Sequence, residues 1–191
     1  VRLWDLSMER ESAVLEGHAA AVKSVAWSPD GKMLASASHD RTVALWDLQT
    51  ERRLRTLEGH APHANFVAWS PDGKRLAQGA SDNTVRVWSV PGAREVERLA
   101  GHSEPVMAVA WSPDGTRLAS GSIDGVLALW DEGKPSLRNA HERAIRTLAF
   151  SPDGARLASG SKDRTVKLWN ARTGEQIRSA APHRGTVNAV A

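Results

Sequence analysis

Five tryptophans divide this chain into units of nearly constant length. An interval of 42 residues separates each of the first four, and 39 residues separate the last two: Trp4, Trp46, Trp88, Trp130 and Trp169. The tetrapeptide Ser-Pro-Asp-Gly keeps the same period, at residues 28–31, 70–73, 112–115 and 151–154. A fixed period in this range indicates a repeat architecture. It also bears on function, because four near-identical units are not expected to be four active sites.

Composition sets outer limits on what the repeats can build. The chain has 191 residues, a length that suits a single domain, and its 41% hydrophobic content is enough for a packed core. Because cysteine is absent, disulfides and thiolate metal sites are excluded, and the sequence fits a reducing compartment such as the cytoplasm. No apolar run reaches the roughly 18 residues of a membrane span. The net charge of +3 is mild and does not indicate nucleic-acid binding.

Each unit is predicted to contain four short strands. In residues 17–58, a short apolar run ends at Trp27 and is followed by the Ser-Pro-Asp-Gly turn. A second run covers residues 33–38, and two segments with period-two alternation cover residues 42–46 and 52–57. Turn signals separate these runs and no helical period interrupts them, which predicts an all-β chain.

These motifs resemble those of the WD40 repeat family. The shared features are a Gly-His opening, the Ser-Pro-Asp-Gly turn, a Leu-Ala-Ser-x-Ser-x-Asp run and a closing Trp-Asp, as in residues 17–47. The resemblance implies a β-propeller, in which each unit supplies a four-stranded blade. The high similarity between units also resembles the WD40 arrays of bacterial multidomain signalling proteins.

The expected organisation is one WD40 array with four full blades and partial blades at both ends. Residues 1–16 are predicted to end a preceding blade, and residues 182–191 to begin a further one. The repeats between them are predicted at residues 17–58, 59–100, 101–139 and 140–181. A ring closed by the two ends would lack one second strand, so we expect a piece of a larger ring. A small ring with a defective blade and an assembly of several chains are the alternatives.

A His, a Ser, an Asp and a Trp recur at fixed spacing in each unit. This combination suggests a hydrolase triad, but an oxyanion hole and a cleft would have to recur four times. The family resemblance implies instead a structural hydrogen-bonded tetrad, with Gln78 in the Ser position of the second unit. The predicted tetrads are His18, Ser36, Asp40 and Trp46; His60, Gln78, Asp82 and Trp88; His102, Ser120, Asp124 and Trp130; and His141, Ser159, Asp163 and Trp169.

Two units depart from the common pattern. Gln78 is longer than Ser, so we expect a distorted or partly rewired tetrad in the second unit. In the third, Trp130 and His141 are 11 residues apart, whereas the corresponding interval is 14 residues elsewhere. The deletion is predicted to lie between the third and fourth strands, within residues 131–139, because surface loops tolerate changes in length.

Candidate binding residues are sought where the units differ from one another. The resemblance places two variable positions of each unit at the narrow face of the ring, where partners commonly dock. These partner-binding candidates are Lys23, His39, Asn65, Ser81, Met107, Ile123, Arg146 and Lys162. The basic members, with His63, would suit an acidic or phosphorylated peptide. Met107 and Ile123 could form an apolar anchor.

The predicted function is a non-enzymatic protein–protein interaction scaffold within a larger signalling or regulatory protein. No catalytic residue, cofactor or metal site is expected; His60 and His63 have metal-like spacing, but His60 already belongs to a tetrad. One alternative is a hydrolase or lyase in the channel, which the lack of carboxylates among the candidates disfavours. Another is a binder of an anionic surface such as nucleic acid, which the absence of Tyr makes less favoured. Exposed blade edges could also allow self-association.

Overall fold

The computed structural model of the chain describes residues 1–58, 63–180 and 182–191. Within these ranges every regular element is a β-strand, and the prediction of an all-β fold is confirmed. A two-stranded sheet comes first and consists of β1 (Arg2–Asp5) and β2 (Arg10–Val14). Four four-stranded antiparallel sheets follow, which we call blades 1 to 4.

The blades have the same strand order, with neighbouring strands paired in sequence. Blade 1 consists of β3 (Val22–Trp27), β4 (Met33–Ser38), β5 (Val43–Asp47) and β6 (Arg52–Leu57). Blade 2 consists of β7 (Ala64–Trp69), β8 (Arg75–Ala80), β9 (Thr84–Ser89) and β10 (Arg94–Ala100). Blade 3 consists of β11 (Val106–Trp111), β12 (Leu118–Ser122), β13 (Val126–Asp131) and β14 (Lys134–Asn139). Blade 4 consists of β15 (Ile145–Phe150), β16 (Arg156–Ser161), β17 (Val166–Asn170) and β18 (Gln176–Ser179).

The Ser-Pro-Asp-Gly segments form the turns between the first and second strands. In blade 1, the Ser28 hydroxyl donates to Asp30 Oδ1 at 2.6 Å and accepts from the Met33 amide at 2.9 Å. Gly31 has a φ of 70°, a conformation that glycine adopts without steric cost. This turn sets the register of the first two strands, so their apolar side chains enter the space between blades.

The blades pack on one another through their first strands. β3 contacts β7, β7 contacts β11, and β11 contacts β15. The indole of Trp69 donates to the Ala26 carbonyl of the preceding blade at 3.0 Å, and that of Trp111 donates to the Ala68 carbonyl at 3.2 Å. Contact between neighbouring first strands therefore repeats along all four blades.

The third strand of blade 3 is joined to the fourth by a shorter connection. The turn between β13 and β14 has two residues, at 132–133, whereas four residues connect β5 to β6. β6 also contains a bulge at Leu54, while β14 pairs with β13 in unbroken register. Two residues missing from the turn and one from the bulge explain the three-residue deletion, which lies within residues 131–139.

The two ends of the row differ in structure. The β1–β2 sheet packs against blade 1, because Leu3 of β1 contacts a buried cluster that contains Leu15, Leu34 and Trp46. Residues 182–191 contain no assigned strand, although Val187 is buried and its amide donates to the Ser161 carbonyl of blade 4 at 3.0 Å. Among the described residues, the sheets do not close into a ring.

Candidate functional site: tetrads and the inner-strand cavity

The tetrads of blades 1 and 4 form continuous hydrogen-bonded chains. In blade 1, His18 Nδ1 lies 2.7 Å from Asp40 Oδ2, and His18 Nε2 lies 2.7 Å from Ser36 Oγ. The Trp46 indole donates to the same Ser36 Oγ at 2.7 Å. Tryptophan thus reaches the serine rather than the histidine. Because the carboxylate can only accept, Nδ1 carries the proton and the serine hydroxyl donates to Nε2.

A threonine that the sequence analysis overlooked completes these two tetrads. Thr42 Oγ1 donates to Asp40 Oδ1 at 2.6 Å, and Thr165 Oγ1 donates to Asp163 Oδ1 at the same distance. The sequence Asp-Arg-Thr-Val, which occurs at residues 40–43 and 163–166, could have indicated this contact. With one oxygen held by threonine, the carboxylate presents its other oxygen to the histidine.

Ionisation of the tetrad in blade 4 follows from burial and hydrogen bonding. Burial lowers the pKa of His141, an effect that outweighs the hydrogen bond to Asp163. Burial acts to raise the pKa of Asp163, but hydrogen bonds from Thr165 and His141 outweigh it and lower the pKa to about 2. The pair is therefore a neutral imidazole that donates to a carboxylate.

In blade 3 the tetrad lacks the hydrogen bond between its histidine and its aspartate. His102 Nε2 and the Trp130 indole both bond Ser120 Oγ at 2.7 Å, as the corresponding groups do in blades 1 and 4. Among the described residues, however, buried His102 Nδ1 has no hydrogen-bond partner. Val126 stands in the threonine position, so Asp124 Oδ1 accepts from the Ser122 hydroxyl instead. Its Oδ2 accepts from Ser103 Oγ at 3.2 Å and does not meet His102.

Blade 2 contains a different polar network. The Trp88 indole donates to Gln78 Oε1 at 3.3 Å, while the predicted tetrad member His60 lies outside the described residues. Asp82 forms a close salt bridge with Arg86, whose side chain is only 4% exposed. Arg86 also bridges Glu95 at 3.3 Å. Sequence reasoning missed Arg86, although it stands where blades 1 and 3 have alanine.

The first strands carry a second set of candidate residues, and a bulge sets their direction. In each blade the pairing of the first and second strands skips one residue immediately after the opening residue. The skipped residues are Lys23, Asn65, Met107 and Arg146. A bulge re-aims the side chain of its unpaired residue. In sequence, its signal is the three-residue step from Val22 to Val25, which interrupts period-two alternation.

These bulges direct their side chains to a common cavity of about 470 Å³. We call it the inner-strand cavity; its lining residues are Lys23, His39, Asn65, Phe66, Met107, Arg146 and Asn188. The lining contains two permanent cations and no carboxylate. The His39 ring lies 4.6 Å from that of His63, between centroids, and His63 Nδ1 lies 3.1 Å from the His39 carbonyl. Five of the eight binding candidates therefore meet in one place.

The other three binding candidates lie outside this lining. Ser81 accepts a hydrogen bond from Asn65 Nδ2 at 3.0 Å and so holds the side chain of a lining residue. Ile123 is 47% exposed and is not among the lining residues of the cavity that contains Met107. Lys162 lines a separate cavity beside Asp163 and Thr186.

Blades with recurring tryptophan-centred polar networks define a β-propeller repeat protein. The model of the "WD domain, G-beta repeat" matches residues 9–47, 51–89, 93–131 and 134–170, which together make up most of the chain. The chain belongs to the WD40 family. Each match begins at the last strand of one sheet and ends at the third strand of the next. The predicted boundaries begin one strand later than these matches.

Curated relatives match over a single unit. Coronin-7 of Rattus norvegicus is 46% identical over 43 residues, and Coronin-7 of Mus musculus is 50% identical over 40 residues. These matches cover 22% and 21% of this chain and only 5% and 4% of the coronins. The chain therefore corresponds to a small fraction of the length of these relatives.

Two further features of the described residues concern metals and membranes. They include no group of three or more His, Cys, Asp or Glu side chains positioned to hold a metal ion. No helix with the length and apolar character of a membrane span occurs among them.

Proposed function

We propose that this chain is a non-enzymatic interaction module that binds an acidic segment of a partner protein at the inner-strand cavity. WD40 repeats typically mediate protein–protein interactions, and the family is generally non-enzymatic. The observation that carries the proposal is the convergence of Lys23, His39 and Arg146 on a cavity without a carboxylate. A larger cytoplasmic signalling or regulatory protein, as in bacterial multidomain arrays, would be a suitable context for such a module.

The chemistry of the lining supports a peptide segment as the ligand. Lys23 is exposed and Arg146 half-buried, and neither forms a salt bridge with another described residue. Phe66 and Met107 add apolar surface to the same wall. Charge-assisted hydrogen bonds to carboxylates would fix a segment in place, and the apolar surface would hold its neighbouring side chains. Ser81, Ile123 and Lys162 would serve as peripheral contacts.

Peptides selected on this chain should be acidic and should depend on the inner-strand cavity. The test is a selection from a randomised peptide library on the immobilised chain, followed by affinity measurement by calorimetry. The double variant Lys23→Glu/Arg146→Glu should weaken binding of the selected peptides by at least about tenfold, because both attractive charges are reversed.

Arg55→Glu is the matched control, because Arg55 is an exposed cation on the outer strand β6. It should leave the affinity within about twofold, the scale of a screened surface charge. Equal binding of the selected peptides to the wild type and the double variant would refute the proposed site. Failure to select any peptide would count against the function itself.

We also propose that the chain self-associates through the exposed apolar side chains of β3 in blade 1. Val25 is 49% exposed and Trp27 57% exposed, whereas Trp69, the counterpart in blade 2, is 8% exposed. Contiguous exposed apolar side chains favour association. The mass measured by light scattering should therefore rise with concentration, and Trp27→Ser should reduce the rise. A constant monomer mass across the concentration range would exclude this surface as an interface.

A further inference from the structure

We infer that the cationic part of the inner-strand cavity is a subsite for a phosphate group carried on a side chain of the partner segment. This inference rests on the proposed function and narrows its ligand. The residues assigned to the phosphate are Lys23, His39, Arg146 and Asn188, all of which line the cavity.

The cavity lining carries an excess of positive charge. The carboxylate next to the cavity in sequence is Asp40, and it faces away, since His18, Thr42 and the Ala19 amide occupy its oxygens. Lys23 and Arg146 therefore have no counter-ion in the lining. A phosphoserine carries a charge of roughly −1.5 to −2 near neutral pH and would balance two cations better than a carboxylate.

The lining also contains a hydrogen-bond donor that lacks an acceptor among the described residues. Arg146 Nε is buried and has no hydrogen-bond partner among the described residues. A buried donor without an acceptor is destabilising, so its presence in a cavity wall points to a ligand oxygen. The guanidinium offers several N–H groups in a fixed plane, which matches the tetrahedral oxygens of phosphate through paired hydrogen bonds.

The charge of His39 depends on its neighbours in the lining. Burial, the charge of Lys23 and the neighbouring His63 act in that order to lower the pKa of His39. These surroundings disfavour a positive charge on the His39 ring, which lies in the cavity wall. A bound dianion would reverse the effect of Lys23 and allow His39 to become a charged donor to the phosphate.

The mixture of polar and apolar residues in the lining favours a phosphorylated side chain of a peptide over a free anion. The Asn65 amide nitrogen is already used, since it donates to Ser81 Oγ at 3.0 Å and to the Val106 carbonyl at 3.1 Å. The lining combines the donors of Lys23, Arg146 and Asn188 with the apolar side chains of Phe66 and Met107. A peptide can place a phosphate on the first and an apolar side chain on the second.

The experiment compares two peptide libraries that differ at one position. Both are randomised around a central residue, which is phosphoserine in one and serine in the other, and binding to the chain is measured by fluorescence polarisation. The phosphoserine library should bind at least about tenfold more tightly. Arg146→Gln and, separately, Lys23→Gln should remove most of this preference, whereas Arg55→Gln should preserve it. Lys23 is exposed, so its variant remains informative if Arg146→Gln does not fold.

Three other outcomes would reject part or all of this proposal. Equal binding of the two libraries, with both sensitive to the charge-reversed double variant, would reject the phosphate subsite and leave the proposed function standing. Inorganic phosphate or pyrophosphate that competes as strongly as the phosphoserine library binds would show that a free anion is the ligand. Absence of binding by both libraries would reject the subsite together with the proposed function.

Discussion

Asp40→Ala should lower the free energy of unfolding by about 3 kcal/mol, since the buried groups that it accepts from would lose their partner. Asp40 Oδ2 accepts from His18 Nδ1 at 2.7 Å and from the Ala19 amide at 3.0 Å, while Oδ1 accepts from Thr42 Oγ1 at 2.6 Å. These hydrogen bonds, against the effect of burial, lower the pKa of the Asp40 carboxyl. Urea unfolding followed by tryptophan fluorescence gives the free energy.

Asp124→Ala in blade 3 is the matched control for this prediction. Asp124 occupies the same position but forms no hydrogen bond with His102. Its replacement should be less destabilising than that of Asp40 by about 1 kcal/mol or more, the scale of one buried hydrogen bond. Equal losses for the two variants would show that the histidine link adds nothing to stability. Neither variant should selectively abolish peptide binding, because neither aspartate lines the inner-strand cavity.

Gly121→Ala should destabilise the chain by about 2–3 kcal/mol through overpacking between blades 3 and 4. A Cβ atom at Gly121 would lie 2.5 Å from Ile145 Cγ2, closer than side-chain contacts allow. The equivalent glycines face equally bulky side chains, since Gly79 meets Val106 at 2.8 Å and Gly160 meets Val187 at 2.6 Å. Thermal unfolding monitored by circular dichroism measures the loss.

A double-mutant cycle isolates the contact behind this prediction. Blade 1 has Ala37 where the later blades have glycine, and Ala37 lies in a buried cluster with Ala64, a smaller residue than Ile145. Gly121→Ala/Ile145→Ala should therefore be less destabilising than the sum of the single losses by about 1–2 kcal/mol. Strict additivity would disprove the contact. Gly185→Ala, with no atom near the added Cβ, should have no effect.

The period of the chain predicted most of the fold because each unit is locally complete. The Ser-Pro-Asp-Gly turn and the period-two runs specify a four-stranded sheet within one unit, and four units in register specify the row of blades. The pairing of Gly121 with Ile145 was harder to foresee, because it joins residues of different units. Small and bulky residues at these two positions become informative only when the packing partner is known.

The candidate site was predictable in position but less so in detail. Comparison between units identified Lys23, Asn65, Met107 and Arg146, and the structure shows that bulges aim them at one cavity. Whether the hydrogen-bonded chain of a tetrad is continuous depends on the identity of neighbouring side chains, which the spacing of the four residues does not reveal. Loss of one hydroxyl at Val126 turns a carboxylate away from His102, a change that leaves the spacing of the unit intact.

The most direct test of the account is to map where a selected acidic peptide binds by NMR chemical-shift changes in the chain. The largest chemical-shift changes should cluster at the inner-strand cavity, around Lys23, His39, Met107 and Arg146. The amides of the outer strands β6, β10, β14 and β18 should change little. Changes concentrated on those outer strands, or spread evenly over the surface, would contradict the assignment of the cavity as the binding site.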